Sequence, residues 1–277
     1  MKYEQMTMMS YTLARGAWGK NPDIRKLCEL AVKLGLKTVD WVTTYNIKPA
    51  EIRKICDDYN LRTVCYTFFA DINFPERTAR QAGIDAIRAG IETALVLGTD
   101  KIMLPIGGKE GLTRQESRRN VIEGLKDAVR AGEENGVSVT VEHFPQCTAP
   151  FITSSDVNEA VRAVPSLRIT YDSGNVLTGG EDPADGFLKS REYIIHSHFK
   201  DWAVVPEGKG MRGYDGRYYR GALVGEGALE YKKILQAMHR SGYEGYVDFE
   251  YEGSDYTPEE AMEKGLRYLK EIFETLE

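Results

Sequence analysis

A (β/α)8 barrel is the fold this sequence predicts, on three observations. Apolar runs with strand character alternate with helix-period segments from end to end. No hairpin signal joins two consecutive strand candidates, and no GxGxxG follows the first strand to mark an open dinucleotide-binding sheet. The 277 residues match the length of about 250 typical of such a barrel, so one domain over 1–277 is the expectation.

The first strand is read at Met6–Leu13, with a helix around Pro22–Leu34. Thr38–Val42, a helix near Pro49–Asp58 and the β-branched and aromatic run Arg62–Phe69 follow. A long helix runs from about Glu76 to Leu97, with Ala82, Ala86, Ala89 and Ile91 as packing candidates. Lys101–Ile106 is the fourth strand, and the helix Arg114–Asn135 is closed by Gly136 at the position that favours a left-handed residue. Strand five is Ser138–Phe144, and Ser154 or Ser155 caps a helix reaching about Val164. Strand six is Leu167–Asp172, with a short helix near Pro183–Lys189, and strand seven is Tyr193–Phe199. A Gly- and Tyr-rich segment, Val204–Gly227, is read as an irregular loop before a helix at about Leu229–Ser241. Strand eight is Tyr246–Tyr251, and the last helix begins near Pro258.

Composition narrows the function classes. Hydrophobic residues make up 42% and charged residues 28%, as in ordinary globular proteins. No apolar run approaches the ~18 residues of a membrane span, and MKYEQMTMMSYTLAR lacks the apolar core and cleavage site of a signal peptide. A cytoplasmic protein with no membrane partner is expected, and the four cysteines, none in a CxxC pair, read as reduced thiols. A net charge of −6 and a pI near 5.5 argue against a nucleic-acid partner.

Chemistry in such a barrel belongs to the C-terminal strand ends. Strand five ends in Glu142-His143, strand six in Asp172-Ser173-Gly174-Asn175, strand seven in His196-Ser197-His198-Phe199-Lys200, and strand eight in Asp248-Phe249-Glu250. Four consecutive strands thus each bring a carboxylate or imidazole to one rim. Three carboxylates gathered there repel one another unless a cation compensates them, so Glu142, Asp172, His198 and Glu250 are read as ligands of one divalent metal ion. Three oxygens and one imidazole suit Mn²⁺, Mg²⁺ or Co²⁺ and also admit Zn²⁺. Ligand type does not choose among them, and Mn²⁺ is the working expectation. His196 shares the face of His198 one layer down and is read as a core or supporting group. His143, on the alternate face, points to the helices or a loop. Lys200 shares the side of His198 and meets either a substrate oxygen or a neighbouring carboxylate. Trp18, Trp41, Phe68 and Phe69, at or beyond the early strand ends, form an apolar substrate wall or simply pack.

The segments VTVEHF (Val139–Phe144), ITYDSGN (Ile169–Asn175), HSHFKDW (His196–Trp202), GEGALEY (Gly225–Tyr231) and YVDFEYEG (Tyr246–Gly253) resemble, in order and spacing, the xylose isomerase-like barrel superfamily. That superfamily contains sugar isomerases and epimerases, inosose dehydratases and type IV apurinic endonucleases. The resemblance places Glu142, Asp172, His198 and Glu250 at metal-ligand positions and makes Glu142 and Glu250 the proton-transfer pair of the ketose 3-epimerases. It implies a small carbohydrate substrate, contacts from Asn175 and an arginine of the long loop (Arg217 or Arg220), and a homodimer or homotetramer; Lys200 and Trp18 are substrate-contact candidates by their places at the strand ends. Many members carry Asp-x-x-His after strand six, where this chain has Asn175. Its only histidines are His143, His196, His198 and His239, too few for the three-zinc cluster of the endonucleases. The implied function is a metal-dependent isomerase or epimerase. A dehydratase on the same site and a non-catalytic carbohydrate-binding barrel or accessory subunit are the alternatives.

Overall fold

The computed structural model describes residues 1–276. Its element order is β1 (Met6–Met9), α1 (Ser10–Ala14), α2 (Ile24–Lys33), β2 (Thr38–Val42), α3 (Pro49–Asp58), β3 (Arg62–Thr67), α4 (Arg77–Leu97), β4 (Lys101–Leu104), α5 (Arg114–Glu134), β5 (Ser138–Glu142), α6 (Ser154–Ala163), β6 (Arg168–Asp172), α7 (Ser173–Thr178), α8 (Pro183–Ser190), β7 (Ile194–Phe199), β8 (Asp201–Val205), β9 (Met211–Arg212), β10 (Tyr218–Ala222), α9 (Tyr231–Arg240), β11 (Tyr246–Phe249) and α10 (Pro258–Phe273). Strands β1–β7 and β11 close into one all-parallel barrel, with β11 pairing both β7 and β1. The expected (β/α)8 fold is borne out.

Local chemistry sets the boundaries. In α2, α5 and α10 the first turn is capped by Asp23, Thr113 and Thr257, the last two in reciprocal boxes with Glu116 and Glu260. Helix α6 is capped by Thr153, not by Ser154 or Ser155. The Thr153 hydroxyl accepts from the Asp156 amide, and Asp156 returns a bond to the Thr153 amide while pairing with Arg114 and Arg118. The strand expected at Met6–Leu13 stops at Met9, where the chain turns into α1 and the Ser10 hydroxyl accepts from the Val42 amide.

Helix α4 corrects the packing expectation. Ala82, Ala86 and Ala89 are exposed, whereas Gly83, Ile84, Ile87, Gly90, Ile91 and Ala94 face the barrel. A Cβ at Gly90 would stand 2.0 Å from the Phe68 ring. Glycine there lets the helix lie directly on β3, so the buried stripe is centred one step from the alanines.

The long segment after β7 is not an irregular loop. β8, β10 and β9 form a three-stranded antiparallel sheet outside the barrel. Asp201 pins it, its carboxylate accepting from the amides of Trp202, Gly225, Gly227 and Leu229 at 2.9–3.2 Å. Among the described residues, no helix is long and apolar enough to cross a membrane. The four cysteines are unpaired.

Candidate metal centre at the C-terminal rim

The last residues of the strands build the site. Glu142 ends β5, Asp172 ends β6, His198 lies near the end of β7, and Glu250 directly follows β11. All four are buried. Glu142 Oε2 lies 3.4 Å and Glu250 Oε2 3.9 Å from His198 Nδ1, and that nitrogen has no hydrogen-bond partner. Glu142, Asp172 and His198 can each aim one ligand atom to within 4.8 Å of the others. Glu142 and Glu250 beside an orphaned imidazole nitrogen, with Asp172 converging on Glu142 and His198, are a donor set that fits a divalent cation.

Asp172 has a second task. It caps the short α7, with Oδ1 accepting from the Asn175 amide at 2.8 Å and Oδ2 from Asn175 Nδ2 at 2.9 Å. Asn175 Nδ2 also donates to the His143 carbonyl at 2.8 Å, leaving Asn175 Oδ1 unpartnered at the pocket. Lys200 is buried among the acids, its Nζ 3.1 Å from Asp172, 3.2 Å from Glu250 and 3.8 Å from Glu252.

Charge follows from this crowding. Burial pushes Asp172 up to about 6 against the pull of Lys200. Burial likewise pushes Glu250 up to about 8, with Lys200 opposing and Glu252 adding to the rise. For His198 burial opposes the imidazolium, but Glu142, Glu250 and Asp40 outweigh it and raise the ring to about 9. Lys200 is held charged by Asp172, Glu250 and Glu252 despite its burial. Without a metal, the acids gather protons and cations around themselves.

The pocket above the site holds about 150 Å³. Its polar lining includes Glu142, Asn175, His198, Lys200, Glu250 and Glu252, and its apolar lining includes Met9, Val42, Met103, Pro105, Phe144 and Pro145. Phe69, 68% exposed, stands at its mouth. A larger hollow, about 490 Å³ among Arg53, Arg62 and Lys101, lies at the opposite strand ends, the face that serves stability in these barrels.

Trp18 and Arg217 do not line the rim pocket. Trp18 packs edge-on against Tyr45, its Nε1 donating to the Asp23 carbonyl. Arg217 binds Asp215 at 2.6 Å in the antiparallel extension, and Arg220 binds Asp255. Trp41 is fully buried, and Phe68 stacks on Tyr66. Sequence reasoning missed Asp40 and Asp248, which join His196 and His198 in a wholly buried cluster beneath the rim. Asp248 stands two residues before Glu250, so the alternation that placed His196 below His198 would have found it.

His143 is buried edge-on against Tyr171, with neither ring nitrogen bonded. Burial lowers its pKa to about 4. The unfolded chain binds a proton that the folded chain refuses between pH 6.5 and 4, so this contribution to stability is full above 6.5 and lost as pH falls. His143→Phe keeps a ring edge on Tyr171 and is expected to change stability by less than about 1.5 kcal/mol at pH 7. Between pH 7 and 4 the wild type should lose a few kcal/mol more than the variant in urea unfolding. Equal losses would refute the assignment.

Fold and rim together define a (β/α)8 barrel with a carboxylate–imidazole centre on its C-terminal face. The chain belongs to the xylose isomerase-like TIM barrel family, whose profile matches residues 28–272. It is 27% identical over 222 residues to an uncharacterised protein of Methanocaldococcus jannaschii, covering 75% of this chain and 71% of that one. It is 26% identical over 155 residues to an inosose dehydratase of Lacticaseibacillus casei, covering 53% of this chain and 51% of the dehydratase. The chain thus spans about half the length of that relative. Among solved structures, the IOLI protein with a bound zinc atom superposes with a TM-score of 0.80 at 16% identity, covering 100% of this chain and 99% of that one. A D-tagatose 3-epimerase-like protein superposes with a TM-score of 0.75 at 20% identity, covering 100% and 98%. At these identities the structural likeness is one of fold.

Proposed function

We propose that the chain is a divalent-metal-dependent enzyme that isomerises or epimerises a small sugar or keto-sugar by proton transfer through an enediolate. The observation that supports this most is the pair of buried carboxylates, Glu142 and Glu250, beside His198 Nδ1, an imidazole nitrogen without a partner, with Asp172 in the same group of donors. A divalent ion held by Glu142, Asp172, His198 and Glu250 would polarise a substrate carbonyl and stabilise negative charge beside it. Glu142 takes the proton from the carbon next to the carbonyl. Glu250, in its protonated form, delivers a proton to the neighbouring carbon or to the opposite face. Lys200 Nζ and the free Asn175 Oδ1 orient substrate oxygens. The apolar lining residues limit water at the reacting edge.

Inosose dehydratases among the relatives favour a second reading on the same residues. The enediolate there expels a β-hydroxyl as water, with Glu250 donating the proton. Product mass separates the two readings, because isomerisation conserves it and dehydration removes one water.

The first test is elemental mass spectrometry of the purified protein with His198→Ala as control. About one ion per chain, lost in the variant, is expected. No metal in either protein after soaking in Mn²⁺ would overturn the proposal. A retained ion is then used to screen ketoses and inososes.

A further inference from the structure

His198 stands between two sets of carboxylates. Its Nδ1 faces Glu142 and Glu250 at the rim, while its Nε2 faces inward, 3.5 Å from Asp248 Oδ2 and 3.9 Å from Asp40 Oδ2. Asp40 on β2, His196 on β7 and Asp248 on β11 are fully buried beneath it. Register places Asp248 directly across from His198 on the paired strand. Neither nitrogen of His198 has a hydrogen-bond partner, and Asp248 Oδ1 has none either.

A neutral imidazole that offers Nδ1 to a cation must carry its one proton on Nε2. In the dry interior that N–H needs an acceptor, because a buried donor left without one forfeits its hydration for nothing. Asp248 is the nearest, and a small turn of the ring brings 3.5 Å to hydrogen-bond length. His196 holds the acceptors still, its Nε2 lying 2.7 Å from Asp248 Oδ2 and 3.1 Å from Asp40 Oδ2. Metal-binding histidines generally donate their second nitrogen to a carboxylate, which fixes tautomer and aim.

We propose that Asp248 is a positioning residue for the rim site. It accepts the Nε2 proton of His198, is itself steadied by His196 and Asp40, and so directs the Nδ1 lone pair at the cation. This rests on the metal reading of the rim.

The same four side chains could instead surround a second cation, since their donor atoms lie within 4.8 Å of one another. That use takes the proton off His198 Nε2 and puts it on Nδ1, spoiling the rim ligand. The separation of His196 Nε2 from Asp248 is 2.7 Å, a hydrogen-bond length. Two ligands of a tetrahedral ion with ~2.0 Å bonds stand about 3.3 Å apart. A proton fits that gap better than a metal.

The test uses the full chain with ¹⁵N-labelled histidine, with and without zinc. Long-range ¹⁵N–¹H spectra should show His198 Nε2 protonated and slow to exchange in the zinc-loaded protein. A bare Nε2 would overturn the proposal without any variant. By competition titration, Asp248→Ala should weaken zinc 10- to 100-fold, and Asp248→Asn, which keeps an acceptor oxygen, should weaken it less. A lowered melting midpoint with unchanged zinc affinity in the folded protein would mean a merely structural role and would overturn it. Two zinc ions per chain, one lost in His196→Ala, would overturn it in favour of a second site. No zinc uptake by the wild type would defeat the reading of the rim. Zinc uptake with a bare His198 Nε2 would defeat the role of Asp248 alone.

Discussion

Glu142→Gln is expected to abolish turnover on the true substrate while the barrel stays folded. The substitution conserves volume, and Glu142 has no hydrogen bond in the protein that glutamine would break beyond its 3.4 Å approach to His198. Loss of a positioned general base removes about 10²–10⁴ in rate, and the loss of a charged metal ligand adds to it. Steady-state rates, metal content and the thermal midpoint should be measured on one preparation. A variant with near-normal rate would sink the proton-transfer assignment. A variant that unfolds would move Glu142 into the structural class. Glu250→Gln divides the steps further. In deuterated water it should still wash hydrogen out of the substrate through Glu142, while failing to deliver a proton from the second position. Loss of both exchange and turnover would show that Glu250 is needed before the carbon acid is deprotonated.

The rim was legible because two simple regularities coincide there. Strand ends can be placed from β-branched runs, and their last polar residues fall on one face of a closed parallel sheet. Glu142, Asp172, His198 and Glu250 were found that way. Asp248 obeys the same alternation, but a polar residue inside a strand looks like any satisfied core group until its neighbours are known. Asp40 was beyond reach, since only barrel closure brings β2 across to β7 and β11. The antiparallel extension was hidden for another reason. One of its edge strands is Met211–Arg212 alone, and its glycines and charges resemble a solvated loop. What orders it is a single buried carboxylate, Asp201, whose four amide partners are spread over 28 residues. Arg217 looked available to a substrate until that sheet turned it onto Asp215.

Lys200→Met should have the largest effect on the metal-free protein. The ammonium compensates Asp172 and Glu250 at 3.1 and 3.2 Å in a buried setting, and stripping one partner from such a group costs about 3–5 kcal/mol when the other stays charged. Whether it stays charged depends on pH. Asp172 and Glu250 already titrate at about 6 and about 8 when folded, against 3.8 and 4.5 unfolded. The unfolded chain releases these protons first as pH rises, so their burial costs stability progressively between about pH 4 and 8. Removing Lys200 raises both groups further and widens that window. The variant should therefore match or exceed the wild type near pH 3, where both acids are mostly neutral in either state and the buried ammonium has lost its partners, and fall furthest behind above pH 8. A divalent ion competes with the same ammonium for the same two acids. Added Mn²⁺ or Zn²⁺ should thus bind the variant at least as tightly as the wild type and restore most of the lost stability, by mass action on the folded state. Urea unfolding across pH, with and without the ion, checks both halves. A stability deficit independent of pH would mean that Lys200 acts by packing. A deficit that no cation repairs would mean that the acids it serves are not the acids that hold a metal.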